Sequence, residues 1–415
     1  MEQQPALKLR ANGARADGSR QDLGRANRRR VLAELVFRGP VSRSAIAERT
    51  GLTNASVSRI TRDLIEAGLV MERASVVNPN RPGRRFVELD IDGSGGYVLG
   101  IGLNVFQQSV TLADLKNNRI DRIDLSLADL SDPEVVIAEI VKAARRMIDT
   151  HVTDRNRLLG GGVAMTGAID PVTGLVADVP YFGWRDVQLN LADRLTRDIG
   201  LPIHIENLAN SINLAEVRFG AARTARNTLL VHCALGLGGS LYLDGQLIRG
   251  HDFGAGQVGN LPVSIADGDP RTLDDISGGR GILSAMGVSG IGVGSERADE
   301  IAARLMSAID TANAGNPEAA AIMQRAGQTL GRFLAMFAGL IHPETILLSG
   351  PLPTAAPYLD ACRETFEGHR LRDNNTIGLM RSDLSNQASA RWLAIGEFMV
   401  NRDIELAPLK IEEAA

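Results

Sequence analysis

Cysteine is almost absent from this 415-residue chain, which has only Cys233 and Cys362. Two thiols cannot make a disulfide framework or a four-thiolate zinc site. Long apolar runs are missing too. The longest, FLAMFAGLI at residues 333–341, falls far short of the ~18 residues that cross a bilayer, so no membrane association is expected. The opening stretch, MEQQPALKLRANGARADG, lacks the apolar segment of a secretory signal, and a cytoplasmic protein is expected. Residues 1–24 also lack periodic apolar positions and read as a flexible tail.

What is present suffices for a folded protein. Apolar residues make up 44% and charged residues 23%, enough to bury a core and keep a wettable surface. The chain is long for one ordinary domain, and two or three are expected. A formal net charge of −4 conceals an asymmetry. Residues 1–90 carry 17 basic against 10 acidic residues, and the remainder 28 against 39. A basic head on an acidic body is the electrostatic footprint of a DNA-reading module joined to a larger domain, although basic tails are common for other reasons.

Residues 25–90 read as that module. In NRRRVLAELVFRGP, Val31, Leu32, Leu35 and Val36 recur at helical spacing, and Gly39-Pro40 stops the helix. In VSRSAIAERTGLTNASVSRITRDLIEAGLV, Ser42 and Thr53 are placed to cap two successive helices, with Gly51 in the turn between them. Ala47, Gly51, Val57 and Ile60 supply the small crossing residue, the turn glycine and the two apolar anchors of a helix-turn-helix. That arrangement puts Asn54, Ser56, Ser58, Arg59 and Arg62 where they reach base edges or phosphates of double-stranded DNA. The same pattern also suits a helical hairpin with a solvated basic face. Beyond it, MERASVVNPNRPGRRFVELD has the strand–turn–strand form of a wing, with Arg81, Arg84 and Arg85 at and after its tip. Arginines there suit either an A·T-rich minor groove or plain phosphate contact.

The body, residues 97–415, reads as two-lobed α/β with mixed sheets. GGYVLGIGLNVFQQSVTLADL and NTLLVHCALGLGGSLYLDGQLIRG are hairpins. A helix over 133–150, a buried strand at LLGGGVAM and a long apolar helix before IHPETILLSGPL complete the outline.

Here the chain resembles the ROK (repressor, open reading frame, kinase) family, in the branch carrying an N-terminal winged helix-turn-helix. The resemblance rests on the head, on GVAMTGAID followed by GWRDVQL, on IENLAN, on LGLGGSLYLDGQLIRG, on GAGQVGNLPV and on IHPETILLSGPL, and it spans nearly everything from residue 25 onward. It implies an actin/RNase H-like sugar-kinase fold, a ligand cleft between the lobes, and dimers or tetramers.

The departures from the kinase pattern are as informative. Gly102, Leu103, Asn104, Val105 and Phe106 stand where kinases of the family carry Asp-x-Gly-Gly-Thr. Leu235 replaces the threonine of the second phosphate loop, leaving Gly236, Gly238 and Gly239 as turn and packing residues. Leu208 stands at the catalytic aspartate, and an alkyl chain cannot take the proton of an attacking hydroxyl. The zinc motif is also lost: Asn260 stands at its histidine, and the acids Asp267, Asp269, Asp274 and Asp275 suit a solvated turn better than a metal. No metal, no cofactor and no enzyme activity are therefore expected. By the resemblance, Asn207, Gln257, Asn260 and Asp274 occupy the sugar-holding positions. Their amides keep hydrogen-bonding capacity without charge, which suits either a neutral sugar or polyol effector or a stitch between lobes. The expectation is a repressor of carbohydrate genes that senses without phosphorylating. The alternatives are a working kinase with a DNA-binding head, and a dimeric regulator without a ligand.

Overall fold

The computed structural model describes residues 16–74, 87–127, 129–263, 271–288, 298–369 and 376–409. The chain divides into two compact units, Met1–Asp92 with Phe398–Ala415, and Gly93–Glu397.

In the first unit α1 (Ala16–Arg38), β1 (Val41–Ser42), α2 (Arg43–Thr50), α3 (Asn54–Glu66), β2 (Val70–Ala74) and β3 (Val87–Ile91) follow in order. The helix α1 begins at Ala16, inside the stretch read above as a tail. Val31, Leu32, Leu35, Ile46, Val57, Ile60, Leu64 and Leu89 are buried, and three strands in the order β1-β3-β2 close the small core. Burying each such side chain contributes about 1.5–3 kcal/mol.

The last residues depart from the sequence reading, which gave all of 97–415 to the body. Asp403 pairs with Arg25 at 3.1 Å and Arg28 at 3.2 Å, and Arg28 also donates to the Ile404 carbonyl at 2.8 Å. Arg29 donates to the Asn401 carbonyl at 3.0 Å. With Ile404, Leu406 and Leu409 buried, this segment is part of the first unit. Nothing local in the sequence signals it, because the partners lie 375 positions apart.

The second unit opens with β4 (Tyr97–Asn104), β5 (Gln107–Asp114), β6 (Arg119–Asp124), α4 (Pro133–His151), β7 (Leu158–Met165), β8 (Ala168–Asp170) and β9 (Leu175–Asp178). There follow β10 (Leu189–Asn190), α5 (Leu191–Ile199), β11 (Ile203–Asn207), α6 (Leu208–Phe219), β12 (Thr228–Cys233), β13 (Leu237–Leu243) and β14 (Gln246–Ile248). Next are β15 (Pro262–Val263), β16 (Arg271–Thr272), α7 (Leu273–Ser277), α8 (Gly279–Ala285), α9 (Ala298–Asn313) and α10 (Pro317–Ile341). The unit closes with β17 (Thr345–Ser349), α11 (Ala356–His369), β18 (Gly378–Arg381) and α12 (Asn386–Ile395).

Two mixed five-stranded sheets organise this unit, β11-β7-β4-β5-β6 and β14-β13-β12-β17-β18. In α4, Val136, Ile137, Ile140, Ala144 and Met147 are buried at helical spacing, as a helix covering a sheet requires. The helix α12 lies directly on the first sheet. A Cβ on Gly162 of β7 would stand 2.3 Å from the Ala390 carbonyl and 2.8 Å from the Ala394 nitrogen, so only glycine admits so close a helix. Among the described residues, no helix is long and apolar enough to cross a membrane.

Candidate functional site

Two surfaces carry chemistry, one in each unit. In the first unit, Ser42 caps α2 by accepting from the Ala45 nitrogen, and Thr53 caps α3 by accepting from the Ser56 nitrogen, both at 3.2 Å. Gly51 between them has φ +68°, a left-handed turn that a side chain would strain. With Val57, Ile60 and Leu64 anchored beneath, Asn54, Ser58, Arg59 and Arg62 of α3 are exposed. Ser56 is half-buried and receives the Thr53 hydroxyl at 3.0 Å. Arg62 meets Glu66 at only 3.8 Å, a loose surface pair worth little. Arg81, Arg84 and Arg85 lie outside the described residues.

In the second unit, a cavity of about 560 Å³ is lined by residues of both sheets and their loops. It brings together Asn207, Gln257, Asn260 and Asp274, the four residues singled out from the sequence. They are not equally free. Asn207 ends β11 and caps α6: its Oδ1 accepts from the Ala209 nitrogen at 2.9 Å, and its Nδ2 donates to the Gly167 carbonyl at 3.1 Å. Gln257 Oε1 accepts from Asn260 Nδ2 at a long 3.3 Å, which leaves the Gln257 amide nitrogen and the Asn260 carbonyl for other partners. Asp274 Oδ1 accepts from the Leu237 nitrogen at 2.6 Å. Burial nonetheless pushes its carboxyl up to about 6, the Leu237 hydrogen bond and nearby Arg280 opposing the rise and Asp275 adding to it.

Sequence reasoning missed further lining groups. Thr166, Asp178, Tyr181, Arg185 and Arg280 face the same cavity. Thr166 Oγ1 and one oxygen of Asp178 are fully buried, and neither has a hydrogen-bond partner in the protein. Arg280 lies 5.8 Å from the centre of the Tyr181 ring. Burial drives the Tyr181 hydroxyl pKa well above its ordinary value, so that it stays a neutral donor. The motifs TGAID and GWRDVQL were the local signals among these, through Thr166 and Arg185.

The other polar residues of IENLAN serve the protein itself. Glu206 is buried, and its Oε2 receives Arg249 Nε at 3.0 Å and Nη2 at 2.6 Å. Its Oε1 receives the Asn207 nitrogen at 2.9 Å and Asn210 Nδ2 at 3.0 Å. Since Glu206 belongs to β11 and Arg249 follows β14, this ion pair ties the two sheets beside the cavity.

The positions that handle phosphate in the kinase pattern are filled from within. Asn104 Oδ1 accepts from the Phe106 and Gln107 nitrogens, both at 2.8 Å, closing the β4–β5 turn on itself. In the β12–β13 turn the Leu237 N–H is held by Asp274, and the Gly239 N–H donates to the Gly256 carbonyl at 2.6 Å. A Cβ on Gly236 would stand 2.4 Å from the Tyr181 hydroxyl, so this glycine is required for packing. Leu208 is the first residue of α6, only 1% exposed and packed among Ala164, Ala209 and Ile212 on the cavity wall. Asp274 and Asp275 each have one oxygen engaged within the protein: Asp274 Oδ1 by the Leu237 nitrogen, and Asp275 Oδ2 by the Thr272 nitrogen and hydroxyl in a capping box. Asp267 and Asp269 lie outside the described residues.

Comparison with known proteins agrees with both halves. A MarR family model matches residues 21–78, within the first unit. The N-acetylglucosamine repressor of Escherichia coli O6:H1 is 25% identical over 373 residues, covering 87% of this chain and 88% of that protein. The xylose repressor of Caldicellulosiruptor bescii is 24% identical over 342 residues, covering 80% and 84%. A crystal structure of a ROK family transcriptional regulator, described as a homolog of an E. coli MLC protein, superposes with a TM-score of 0.74 at 22% identity, over 93% of this chain and 99% of that one. A ROK family glucokinase from Streptomyces griseus superposes with a TM-score of 0.58 at 21% identity, over 72% and 98%. With its family model matching residues 100–396, the greater part of a chain that also carries a winged helix-turn-helix, this protein belongs to the ROK family.

Proposed function

We propose that this protein is a DNA-binding transcriptional repressor of carbohydrate uptake or catabolic genes, whose body senses a sugar or sugar derivative without phosphorylating it. The observation that carries the sensing half is Leu208, a buried alkyl chain on the cavity wall where a phosphoryl-transfer enzyme needs a proton acceptor. The self-closed β4–β5 and β12–β13 turns support it, since both deny backbone donors to a nucleotide. The names of the relatives, an N-acetylglucosamine repressor and a xylose repressor, support the carbohydrate class. A homodimer would offer two copies of α3 to major grooves one helical turn, or a multiple, apart.

The test is operator release. Purified protein on labelled operator DNA is titrated with free sugars, with and without ATP, and the mixture is assayed for sugar phosphate. The expected result is release by a sugar alone, with operator affinity lowered about 5–150-fold and no phosphorylated product. ATP-dependent product that is abolished by substitution in the cavity would overturn the proposal. One observation favours a ligand-blind body: Asn207 is already spent on capping α6. A sugar and polyol panel that causes no release selects that reading instead.

A further inference from the structure

The cavity has a one-sided charge. Asp178, Asp252, Asp274 and Asp275 line it, against Arg185 and Arg280. Arg185 is already bound to Asp178 at 3.2 Å, and Arg280 sits in the field of Asp274 and Asp275. His232 is the remaining basic residue of the lining, and burial lowers it to about 4, so it is neutral.

Part of the backbone is closed to an anion as well. A phosphate ester carries nearly two charges and three acceptor oxygens, and needs a cluster of donors or cations. Five N–H groups at the edge of the cavity are already taken by the protein's own oxygens. Asn104 holds those of Phe106 and Gln107, Asp274 that of Leu237, and Asn207 that of Ala209 at the start of α6. Thr272 holds that of Asp275 at the start of α7. Two buried side-chain oxygens without partners point the other way. The buried carboxylate oxygen of Asp178 is an acceptor and repels an anion, and Thr166 Oγ1 on the same lining has room for one more bond. Both match the hydroxyls of a neutral sugar.

We infer that the cleft selects an unphosphorylated, uncharged sugar, one of whose hydroxyls donates to Asp178, and that it rejects the phosphate ester of the same sugar. This rests on the proposal above that the cleft holds the effector. It also places the signal in a reaction sequence: the repressor reports a sugar before its first phosphoryl transfer, as the substrate of that class of reaction and not as its product.

Matched pairs test the inference. Calorimetric titration of the full-length protein, paired with operator release, uses glucose, mannose, N-acetylglucosamine and fructose, each against its 6-phosphate. At least one free sugar is expected to bind and release the operator, with its ester weaker by ~10-fold or more, as like-charge juxtaposition requires. Asp178→Asn is expected to weaken the free sugar and narrow its gap to the ester. Asp252→Asn, at the exposed rim, is expected to narrow the same gap without disturbing the fold. An ester that binds as tightly as its parent sugar, or tighter, overturns the inference while leaving a sugar-sensing cleft standing. Silence from every pair, in heat and in operator release alike, overturns the effector reading and this inference together.

Discussion

The polar residues of α3 and those of IENLAN look equally functional in the sequence, yet they meet opposite fates. On α3, Asn54, Ser58, Arg59 and Arg62 face solvent, and the caps and anchors beneath them need nothing from these side chains. In IENLAN, Glu206, Asn207 and Asn210 turn on one another and on Arg249, Gly167 and Ala209. Exposure leaves a donor for a partner, whereas burial obliges it to find one inside the protein. A polar motif therefore signals recognition only where it stays in water. In the cleft, free capacity lies instead on Gln257, Asn260, Thr166 and Asp178, which are scattered over the sequence.

The sharpest break in that comparison is Arg249→Ala. It strands Glu206 as a buried charge and should cost about 3–5 kcal/mol in a denaturant titration. Glu206→Gln in the same chain should recover part of the loss. A cost below ~1 kcal/mol would place this pair with ordinary surface ion pairs. On the other side, Arg59→Ala should leave thermal stability and sugar binding unchanged. If Arg59 reads a base, it should weaken operator binding by about 1–3 kcal/mol in a gel shift. Unchanged operator affinity would remove Arg59 from the reading surface.

The smallest effect concerns pH. Asp274, raised to about 6, binds a proton more readily in the folded state, so its contribution to stability is lost as pH rises from about 4 to about 6. His232, lowered to about 4, has the opposite slope, and its contribution is lost as pH falls from about 6.5 to about 4. The two offset each other in the native protein. Asp274→Asn should uncover the His232 slope, lowering the thermal midpoint by an equivalent of about 1 kcal/mol or more between pH 6.5 and 4.5. A midpoint that stays flat over this range in the variant would mean that His232 is not kept neutral.

Much of the fold was legible because its causes are local. Ser42, Gly51 and Thr53 act on residues within a turn of themselves, so the helix-turn-helix could be read directly. The alternation of apolar residues gave the β4–β5 and β12–β13 hairpins for the same reason. The four cleft residues came from the family resemblance, and the structure gathers them in one cavity. The attachment of the segment from Phe398 onward to the first unit was not legible, nor was the closing of the β12–β13 turn by Asp274. Leu237 and Asp274 are 37 positions apart, and Glu206 and Arg249 43. No propensity or periodicity reports a bond across such gaps.

The sequence by itself determined that position 208 offers no proton acceptor, because an alkyl chain cannot take a proton in any fold. It also determined the reading helix, whose caps, turn and exposed face are all short-range. The tertiary structure alone decided which of the remaining polar groups are free to meet a ligand. A hydrogen-bonding group is available only if no other part of the chain has reached it, and that depends on residues brought together from far apart.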